Sequence, residues 1–590
     1  MRRVRKEIYL GACLLLLLLA GCGGFSGTDG GYLISADETY ETTGEKPEDY
    51  VVEDRKTLYE GEDQEVVTMY LTVGQGNQED GTDHTWTEVN SYPLEYYETE
   101  GIDPYRCEAV LQIGDEEGPI EGEFGYGERA ANATVQLRGQ GASTQQQKSY
   151  RIKIKDGKGD WEGQKTISLN KHVGDPVRFK NKLAYSLMED IPQMFGARTR
   201  FVHLYVKDKT QGEEGLFRDY GIYTQVEQIN KTYLRNRGLD EEGQLYQAGR
   251  SFDWGRHEDA ILPATDPEYN QARFEQYLKI DGSEDHEKLV RLLAAVNDTE
   301  NDIRDVIEQY FDKENLYYWM AFHILMGNKE ALEGNYYLYN PRGLDRWYFI
   351  SWDNDSILEE GYETLRDASY DRSWKEGIFL FAEPVLFRRI LRDTSCREAL
   401  SAAVEDLRKN YLTDEAVQEK IEVYQETVKA YLYELPDQTF ARVTPEEYDS
   451  LTSTMAAEIQ ADYEGFQDSM EGIWPFHILT PSVTGGETVL NWEDAYRFQE
   501  GNISYVVELA RDPEFAELIL REETEENRYS AGVLAPGQYF VRVVSQGPEG
   551  ISQDAYEYYQ TEIGTVSYST LCFYIQEDGR AVALEYSEDG

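Results

Sequence analysis

The sequence is poor in zinc-binding patterns and in positive charge. Its 590 residues include seven scattered histidines, with no H-E-x-x-H sequence and no His/Cys pair at zinc-binding spacing. A zinc enzyme is therefore disfavoured. Lysine and arginine total 57 against 112 acidic residues, which gives a formal net charge of −55. Because so acidic a surface repels phosphate backbones, nucleic-acid binding is not expected.

Cysteine is also scarce, with five residues in the whole chain. Cys13 and Cys22 lie in the amino-terminal segment, which leaves Cys107, Cys396 and Cys572 at wide spacing. An odd number of widely spaced cysteines indicates no disulfide framework. We expect these three residues to be small, buried apolar side chains.

The amino-terminal segment has the pattern of a secreted, lipid-anchored protein. Four basic residues precede an apolar run of 13 residues, 8–20, which is too short to cross a bilayer core of about 30 Å as a helix. The run leads into Leu-Ala-Gly-Cys22, which resembles a bacterial lipobox. The sequence thus predicts a lipoprotein signal peptide over 1–21, lipid attachment at Cys22, and anchoring to the extracytoplasmic face of the cell membrane. The alternative is an ordinary secretion signal with a chance cysteine.

Beyond this segment the chain changes from a linker to folded structure. Residues 22–63 are rich in Gly, Thr and acidic residues without an apolar period, which predicts a flexible acidic linker. From residue 66 onward, several segments alternate with period two and predict strands, whereas residues 177–191 have apolar positions at helical spacing. With 40% hydrophobic and 13% aromatic residues, the chain can bury sizeable cores.

Helical patterns dominate the middle of the chain. Residues 286–327 and 378–470 predict helices, and Thr444-Pro-Glu-Glu447 is a capping-box helix start. Between them, residues 335–353 predict a β-hairpin with a Pro-Arg-Gly turn. This order of elements predicts an α+β fold, with one domain over 64–435 and a helical extension over 436–473.

Residues 474–585 form a third region, with short strands separated by turn residues. This spacing predicts a small antiparallel β-sandwich, and the region looks like a fibronectin type III module. Trp492 and Tyr539 are expected in its core. The alternative role for these two aromatic residues is a ligand-binding platform.

The first motif that could carry chemistry is a glycine-containing turn followed by a lysine. The turn is Gly139-Gln-Gly141, and Lys148 enters the next predicted strand. Such a turn exposes backbone N–H groups, and a nearby lysine can reach a phosphate. Glu227 ends a later strand, where it could pair with Lys148. The alternatives are a solvated strand-entry lysine and a solvated edge glutamate.

A cluster of acids and amides around the predicted hairpin is the second motif. Glu330 is followed five positions later by Asn335, and Asp353 and Asp355 end the second strand. In phosphate transfer, one acid can orient the hydroxyl nucleophile while an Asn and an Asp hold Mg²⁺. Acid-x-acid triplets are common in so acidic a chain. These two carboxylates stand out because they end an apolar, aromatic strand, where uncompensated charge is costly.

Four motifs in this order resemble the CotH kinase family, named for spore coat protein H. They are R-G-x-x-x-S with K-S-Y-R-I-K-I over 138–154, G-I-Y-x-x-x-E over 221–227, G-N-x-acid-x4-N-Y-Y-L-Y over 327–339, and W-D-x-D over 352–355. The resemblance covers about residues 64–435. It implies an atypical protein kinase-like fold and Mg²⁺/ATP-dependent phosphorylation of Ser or Thr in secreted proteins.

The resemblance also implies a role for each matching residue. The metal, Mg²⁺ or Mn²⁺, would be bound by Asn335 and Asp353 with support from Asp355. Lys148 would contact phosphate and pair with Glu227. Family members carry Asp at the position of the catalytic acid, where this chain has Glu330. The residues implied to bind ATP are Arg138, Gly139, Ser143 and Lys148.

Two functions of different classes remain open from the sequence. The first is a surface-anchored protein kinase that acts on secreted or surface proteins. The alternative is a non-catalytic cell-surface scaffold or adhesin, in which the kinase-like domain is a structural platform and the fibronectin-like module makes the contacts. The two differ in whether Lys148, Glu227, Asn335 and Asp353 converge in one cleft.

Overall fold

The computed structural model describes residues 65–212, 215–365, 376–561 and 566–584. The predicted signal peptide, Cys22 and the whole of the predicted linker lie outside these residues. Among the described helices, none is both long enough and apolar enough to cross a membrane. Cys107, Cys396 and Cys572 are free and buried, as the sequence predicts.

The amino-terminal part is a closed β-sheet with short helices on its connections. β1 pairs in parallel with β7 and antiparallel with β2, so seven strands form a ring in the order β1-β7-β8-β6-β5-β4-β2, and β3 extends β2. Closure pairs the strand edges that an open sheet would expose. The elements are β1 (Val66–Gly74), α1 (Trp86–Ser91), α2 (Leu94–Glu100), β2 (Arg106–Asp115), β3 (Gly118–Pro119), β4 (Ala133–Leu137), α3 (Gln140–Thr144), β5 (Tyr150–Ile154), β6 (Thr166–Asn170), α4 (Lys180–Glu189), β7 (Thr199–Asp208) and β8 (Arg218–Glu227).

A helix-rich part follows and contains a four-stranded antiparallel sheet in the order β10-β9-β11-β12. Its elements are α5 (Lys231–Asn236), β9 (Gln244–Ala248), α6 (Gln271–Phe274), β10 (Leu278–Ile280), α7 (Glu287–Asn297), α8 (Ile303–Tyr310), α9 (Lys313–Leu325), β11 (Tyr336–Asn340), β12 (Tyr348–Ser351), α10 (Glu360–Leu365), α11 (Val385–Arg392), α12 (Thr394–Asn410), α13 (Asp414–Leu432) and α14 (Pro445–Glu471), with 3₁₀ helices over Gly377–Phe381 and Asp437–Phe440. The predicted hairpin is confirmed as β11–β12, with Tyr336 opposite Ser351. The predicted capping box at Thr444 is also present.

One hydrophobic core extends through this part of the molecule. It includes Leu183 of α4, Phe322 of α9 and Phe349 of β12. Residues 436–473, predicted as a separate helical extension, supply α14, whose Tyr448 and Ile459 are buried in the same core. The predicted boundary at residue 435 thus falls within one core, and the division into domains stays a prediction.

Within residues 474–561 and 566–584, the carboxyl-terminal part contains strands and one short 3₁₀ helix, as its sequence predicts. A three-stranded sheet, β13-β14-β17, and a second sheet, β16-β15-β18-β22-β23 with β19 beside β18, contribute to one core that buries Trp492 and Tyr539. The strands are β13 (Ile478–Thr484), β14 (Glu487–Trp492), β15 (Ser504–Ala510), β16 (Leu518–Thr524), β17 (Arg528–Gly532), β18 (Gly537–Gln546), β19 (Ser552–Asp554), β20 (Tyr558–Gln560), β21 (Val566–Tyr568), β22 (Thr570–Ile575) and β23 (Ala581–Ala583). The whole chain is therefore α+β with an all-β carboxyl-terminal region.

Candidate active site

The β11–β12 hairpin places two carboxylates at the end of a buried strand. Every residue of β12 is buried, and the chain leaves the strand at Trp352, whose backbone N–H donates to the Asn335 carbonyl at 2.9 Å. Asp353 follows with φ of 47°, in the left-handed region that residues other than glycine rarely adopt. Asp353 and Asp355 are half-buried and close enough to repel each other.

The loop after β6 brings His172 to the same place. β4 and β6 both pair antiparallel with β5, so they run in the same direction and their carboxyl ends lie at one edge of the sheet. Arg138 follows β4, and His172 follows β6 by two residues. The Nδ1 atom of His172 lies 3.1 Å from Oδ2 of Asp355.

Asn181 of α4 completes this group. Its Oδ1 accepts the backbone N–H of Asn354 at 3.1 Å, which fixes the orientation of the amide. Its Nδ2 then lies 3.4 Å from both Nε2 of His172 and Oδ1 of Asp353. One ligand atom from each of His172, Asp353 and Asp355 lies within 4.8 Å of the others. A nitrogen and two carboxylates at these distances fit a divalent cation.

The electrostatics of the two carboxylates differ. Burial, together with repulsion by Asp355, raises the pKa of Asp353 to about 6. Burial also tends to raise the pKa of Asp355, but the hydrogen bond with His172 opposes this effect and holds this pKa below its usual range. The pKa of His172 is correspondingly raised by Asp355 despite its burial. A cation between these groups would relieve the repulsion between the two acids.

Glu330 lies beside the acid pair. Burial and the charge of Asp355 raise its pKa, and a hydrogen bond with Ser356 opposes this shift. Asn335 supports the loop, because its Nδ2 donates to the backbone carbonyl of Glu330 at 3.1 Å. The structure thus places Glu330, Asp353 and Asp355 near one another, with Asn335 in contact with the Glu330 backbone. Their catalytic and metal-binding roles, including metal binding by Asn335, stay predictions.

Two cations border the acids. The guanidinium of Arg138 lies 5.9 Å from the ring centre of Trp352. Burial lowers the pKa of Arg138 to about 10, and the charge of Asp353 partly opposes this shift. Lys180, the first residue of α4, is buried, and its Nζ lies 3.8 Å from Glu359. This Nζ makes no hydrogen bond to the described residues. Among the predicted nucleotide-binding residues, Arg138 interacts electrostatically with Asp353.

The turn after β4 follows Arg138 directly, and the polar side chains of this turn bind neighbouring protein groups. Gly139 has φ of 75°, a conformation that favours glycine. The Ser143 hydroxyl is buried, donates to the Gln140 carbonyl at 2.6 Å and accepts the backbone N–H of Leu94. Lys148 is half-buried, and its Nζ donates to the Ser143 carbonyl at 2.6 Å. Direct binding of nucleotide by Gly139, Ser143 and Lys148 stays a prediction.

The predicted ion pair between Glu227 and Lys148 is wrong. Glu227 is buried and pairs with Arg198 at 3.0 Å and Arg237 at 2.8 Å. The register explains the difference: Glu227 is level with Ile167 and, through it, with Ile152. Lys148 lies four residues from Ile152 along the chain and two strands from β8, roughly 13 Å along the strands.

A different lysine and acid form the buried ion pair of this region. Nζ of Lys171 lies 2.7 Å from Asp437, in the 3₁₀ helix between α13 and α14, and both side chains are fully buried. Lys171 also donates to the carbonyls of Tyr220 and Ile222. A methyl group at Gly221 would collide with the Asp437 carboxylate, which explains the glycine there. This contact ties the α13–α14 connection to the sheet.

Sequence reasoning missed His172, Asn181, Lys180 and the Lys171–Asp437 pair. Each is a single polar residue in a loop or at a helix start, without a spacing pattern. The only signal was position, since Lys171 and His172 directly follow a strand that runs in the same direction as β4. Such a signal becomes useful only when the strand order is known.

In this α+β protein, three acids from the β11–β12 hairpin and its flanks lie close to a histidine and an arginine that follow strands of the closed sheet. The family model for CotH kinase protein matches residues 135–471, more than half of the chain. The chain therefore belongs to this family, and its mixed α+β structure is consistent with a kinase-like fold. The match includes the hairpin, α4 and α14. No curated protein matches the sequence.

Proposed function

We propose that this protein is an atypical protein kinase that transfers the γ-phosphate of ATP to Ser or Thr residues of secreted or surface proteins, with a divalent cation. Family membership supports kinase activity in general. The observation that carries the proposal is the meeting of Glu330, Asp353 and Asp355 in one partly buried group. Burial and the charge of Asp355 raise the pKa values of Asp353 and Glu330. Such a group of acids is suited to bind a cation and a proton.

Each residue of the group has a chemical role in this proposal. The substrate hydroxyl oxygen attacks the γ-phosphorus, ADP leaves, and Glu330 accepts the hydroxyl proton. Asp353 and Asp355 would hold Mg²⁺, which neutralises phosphate charge when it is bound. Arg138, beside Asp353, is placed to contact a phosphate oxygen.

Nucleotide binding tests this proposal directly. We expect calorimetry to detect ATP binding that depends on Mg²⁺, and we expect Asp353→Asn to remove the metal-dependent part. Asparagine suits this test because it tolerates the left-handed backbone of residue 353 and removes only the charge. The matched control is Asp345→Asn, at an exposed site on the turn of the hairpin.

Two results would contradict the kinase proposal. The first is absence of ATP binding by the wild type at millimolar nucleotide. The second is equal loss of binding in Asp345→Asn, which would show that the effect does not come from the acid pair. Either result would favour the alternative function, a non-catalytic surface scaffold or adhesin.

We also propose that the protein is lipid-anchored through Cys22 on the extracytoplasmic face of the membrane. The lipobox-like sequence supports this proposal. Cys22→Ser is expected to move the protein from the membrane fraction to the medium or to leave an uncleaved precursor. Cys13→Ser, in the same leader, is the matched control and should leave the partition unchanged. Membrane partition that is the same in Cys22→Ser and wild type would refute the anchor.

The carboxyl-terminal region is proposed to be a fibronectin type III-like module. Its three-stranded sheet β13-β14-β17 and the order β16-β15-β18-β22 in the other sheet support this assignment, as does the buried Trp492. Such a module would position the kinase or bind a partner. An experimental structure with a different strand order would contradict it.

A further inference from the structure

His172 adds a nitrogen donor to the two carboxylates of the candidate site. A neutral imidazole has one nitrogen with a free lone pair, and each ring nitrogen faces this group. Nδ1 lies 3.1 Å from Oδ2 of Asp355. Nε2 of His172 and Oδ1 of Asp353 each lie 3.4 Å from Nδ2 of Asn181. Two donors that bind one ion at right angles, with bonds of about 2.1 Å, are about 3 Å apart. The distance of 3.1 Å between Nδ1 of His172 and Oδ2 of Asp355 is compatible with this value.

The backbone holds two of the three donors in an unusual conformation. His172 has φ of 46° and Asp353 has φ of 47°, and neither residue is glycine. Such residues are rare, and they cluster where the surrounding structure fixes a functional side chain. Here both residues contribute a ligand-type side chain to the same group, although they follow strands of different sheets.

A cation could replace the contacts that Asn181 makes with His172 and Asp353. Its two contacts to His172 and Asp353 are both 3.4 Å, which is long for hydrogen bonds. Asn181 is held independently by the Asn354 backbone. His172 and Asp353 can therefore exchange these weak contacts for a cation without loss of the support from α4.

We propose that a ring nitrogen of His172 binds the same divalent cation as Asp353 and Asp355, and that this nitrogen makes the site prefer Mn²⁺ over Mg²⁺. Imidazole is a good ligand for first-row transition ions, whereas Mg²⁺ favours oxygen donors and retains its water. The inference rests on the cation site of the proposed function. It adds a ligand outside the four family motifs and names the preferred ion.

Pulsed electron paramagnetic resonance of Mn²⁺ bound to the full-length protein tests the nitrogen ligand. We expect modulation from a directly bound nitrogen that changes when histidine is labelled with ¹⁵N. His172→Asn should remove this signal, and asparagine tolerates the left-handed backbone. His203→Asn is the matched control: His203 is also buried beside a carboxylate, Asp219 at 2.9 Å, but lies on β7. It should keep the signal.

Metal affinities give a second measurement on the same proteins. In the wild type, Mn²⁺ should bind at least about tenfold more tightly than Mg²⁺, and His172→Asn should reduce this ratio by about tenfold or more. His203→Asn should leave the ratio unchanged. Equal affinity of the wild type for the two ions, or Mn²⁺ without nitrogen modulation, would overturn the inference.

These outcomes are separable from those of the kinase proposal. ATP binding with Mg²⁺ but no nitrogen modulation would overturn the histidine ligand and leave the kinase proposal intact. Nitrogen modulation without ATP binding would support the histidine ligand and contradict the kinase proposal. If His172→Asn does not fold, the isotope-dependent signal of the wild type still decides the question.

Discussion

Replacement of Glu330 by glutamine is expected to lower the rate of phosphate transfer by about 10²–10⁴-fold while ATP binding is kept. Glutamine has nearly the same shape but cannot take up the hydroxyl proton. Burial and the charge of Asp355 raise the pKa of Glu330, which makes it a stronger base than an exposed carboxylate. The measurements are kcat with a protein substrate and the dissociation constant of ATP.

Two further variants separate catalysis from charge and from shape. Glu333→Gln removes an acid three residues away, whose charge affects the pKa of Glu330 less than that of Asp355 does, and should change kcat far less than Glu330→Gln. Glu330→Asp keeps a carboxylate on a side chain one methylene shorter and should retain more activity than Glu330→Gln. If Glu330→Gln turns over at the wild-type rate, Glu330 is not the base.

Replacement of Asp437 by alanine is expected to lower the free energy of unfolding by about 3–5 kcal/mol. The change leaves the Lys171 ammonium buried without its carboxylate, and it removes the acceptor of the Ile222 backbone N–H at 2.8 Å. Burial already lowers the pKa of Lys171 to about 8, against the opposing effect of Asp437. Denaturant unfolding measures the difference.

An exposed ion pair provides the control. Asp449 pairs with Lys429 on the surface, and Asp449→Ala should cost about 1 kcal/mol or less. A double variant, Lys171→Met with Asp437→Leu, should recover much of the loss because no uncompensated charge stays buried. An unfolding free energy of Asp437→Ala within about 1 kcal/mol of the wild type would contradict this account.

The local structure was predictable where sequence periods are strong. The β11–β12 hairpin follows from two apolar runs and a Pro-Arg-Gly turn, and α14 begins at its predicted cap, Thr444. The ring of strands was not predictable, because β1 and β7 are separated by more than 120 residues and strand alternation does not name a partner. The prediction of a Glu227–Lys148 ion pair was wrong for the same reason, because the sequence does not give the strand order or register.

Part of the candidate site could likewise be predicted from the sequence, and part could not. Glu330, Asp353 and Asp355 could be identified because they follow or flank one hairpin, where charge after an apolar strand is conspicuous. His172 and Asn181 reach the site from β6 and α4, across a fold that brings distant loops together. The family resemblance supplied motifs, but the contacts among them depend on the strand register.

The closed ring of strands has a consequence for the order in which the chain folds. β1 ends at residue 74, whereas its parallel partner β7 begins at residue 199. During synthesis from the amino terminus, one side of β1 stays unpaired until β7 has emerged, and such long-range pairing is slow. A chain interrupted between these strands would expose two open edges to neighbouring molecules. The amino-terminal sheet is therefore most exposed to aggregation in the interval before β7 has been made.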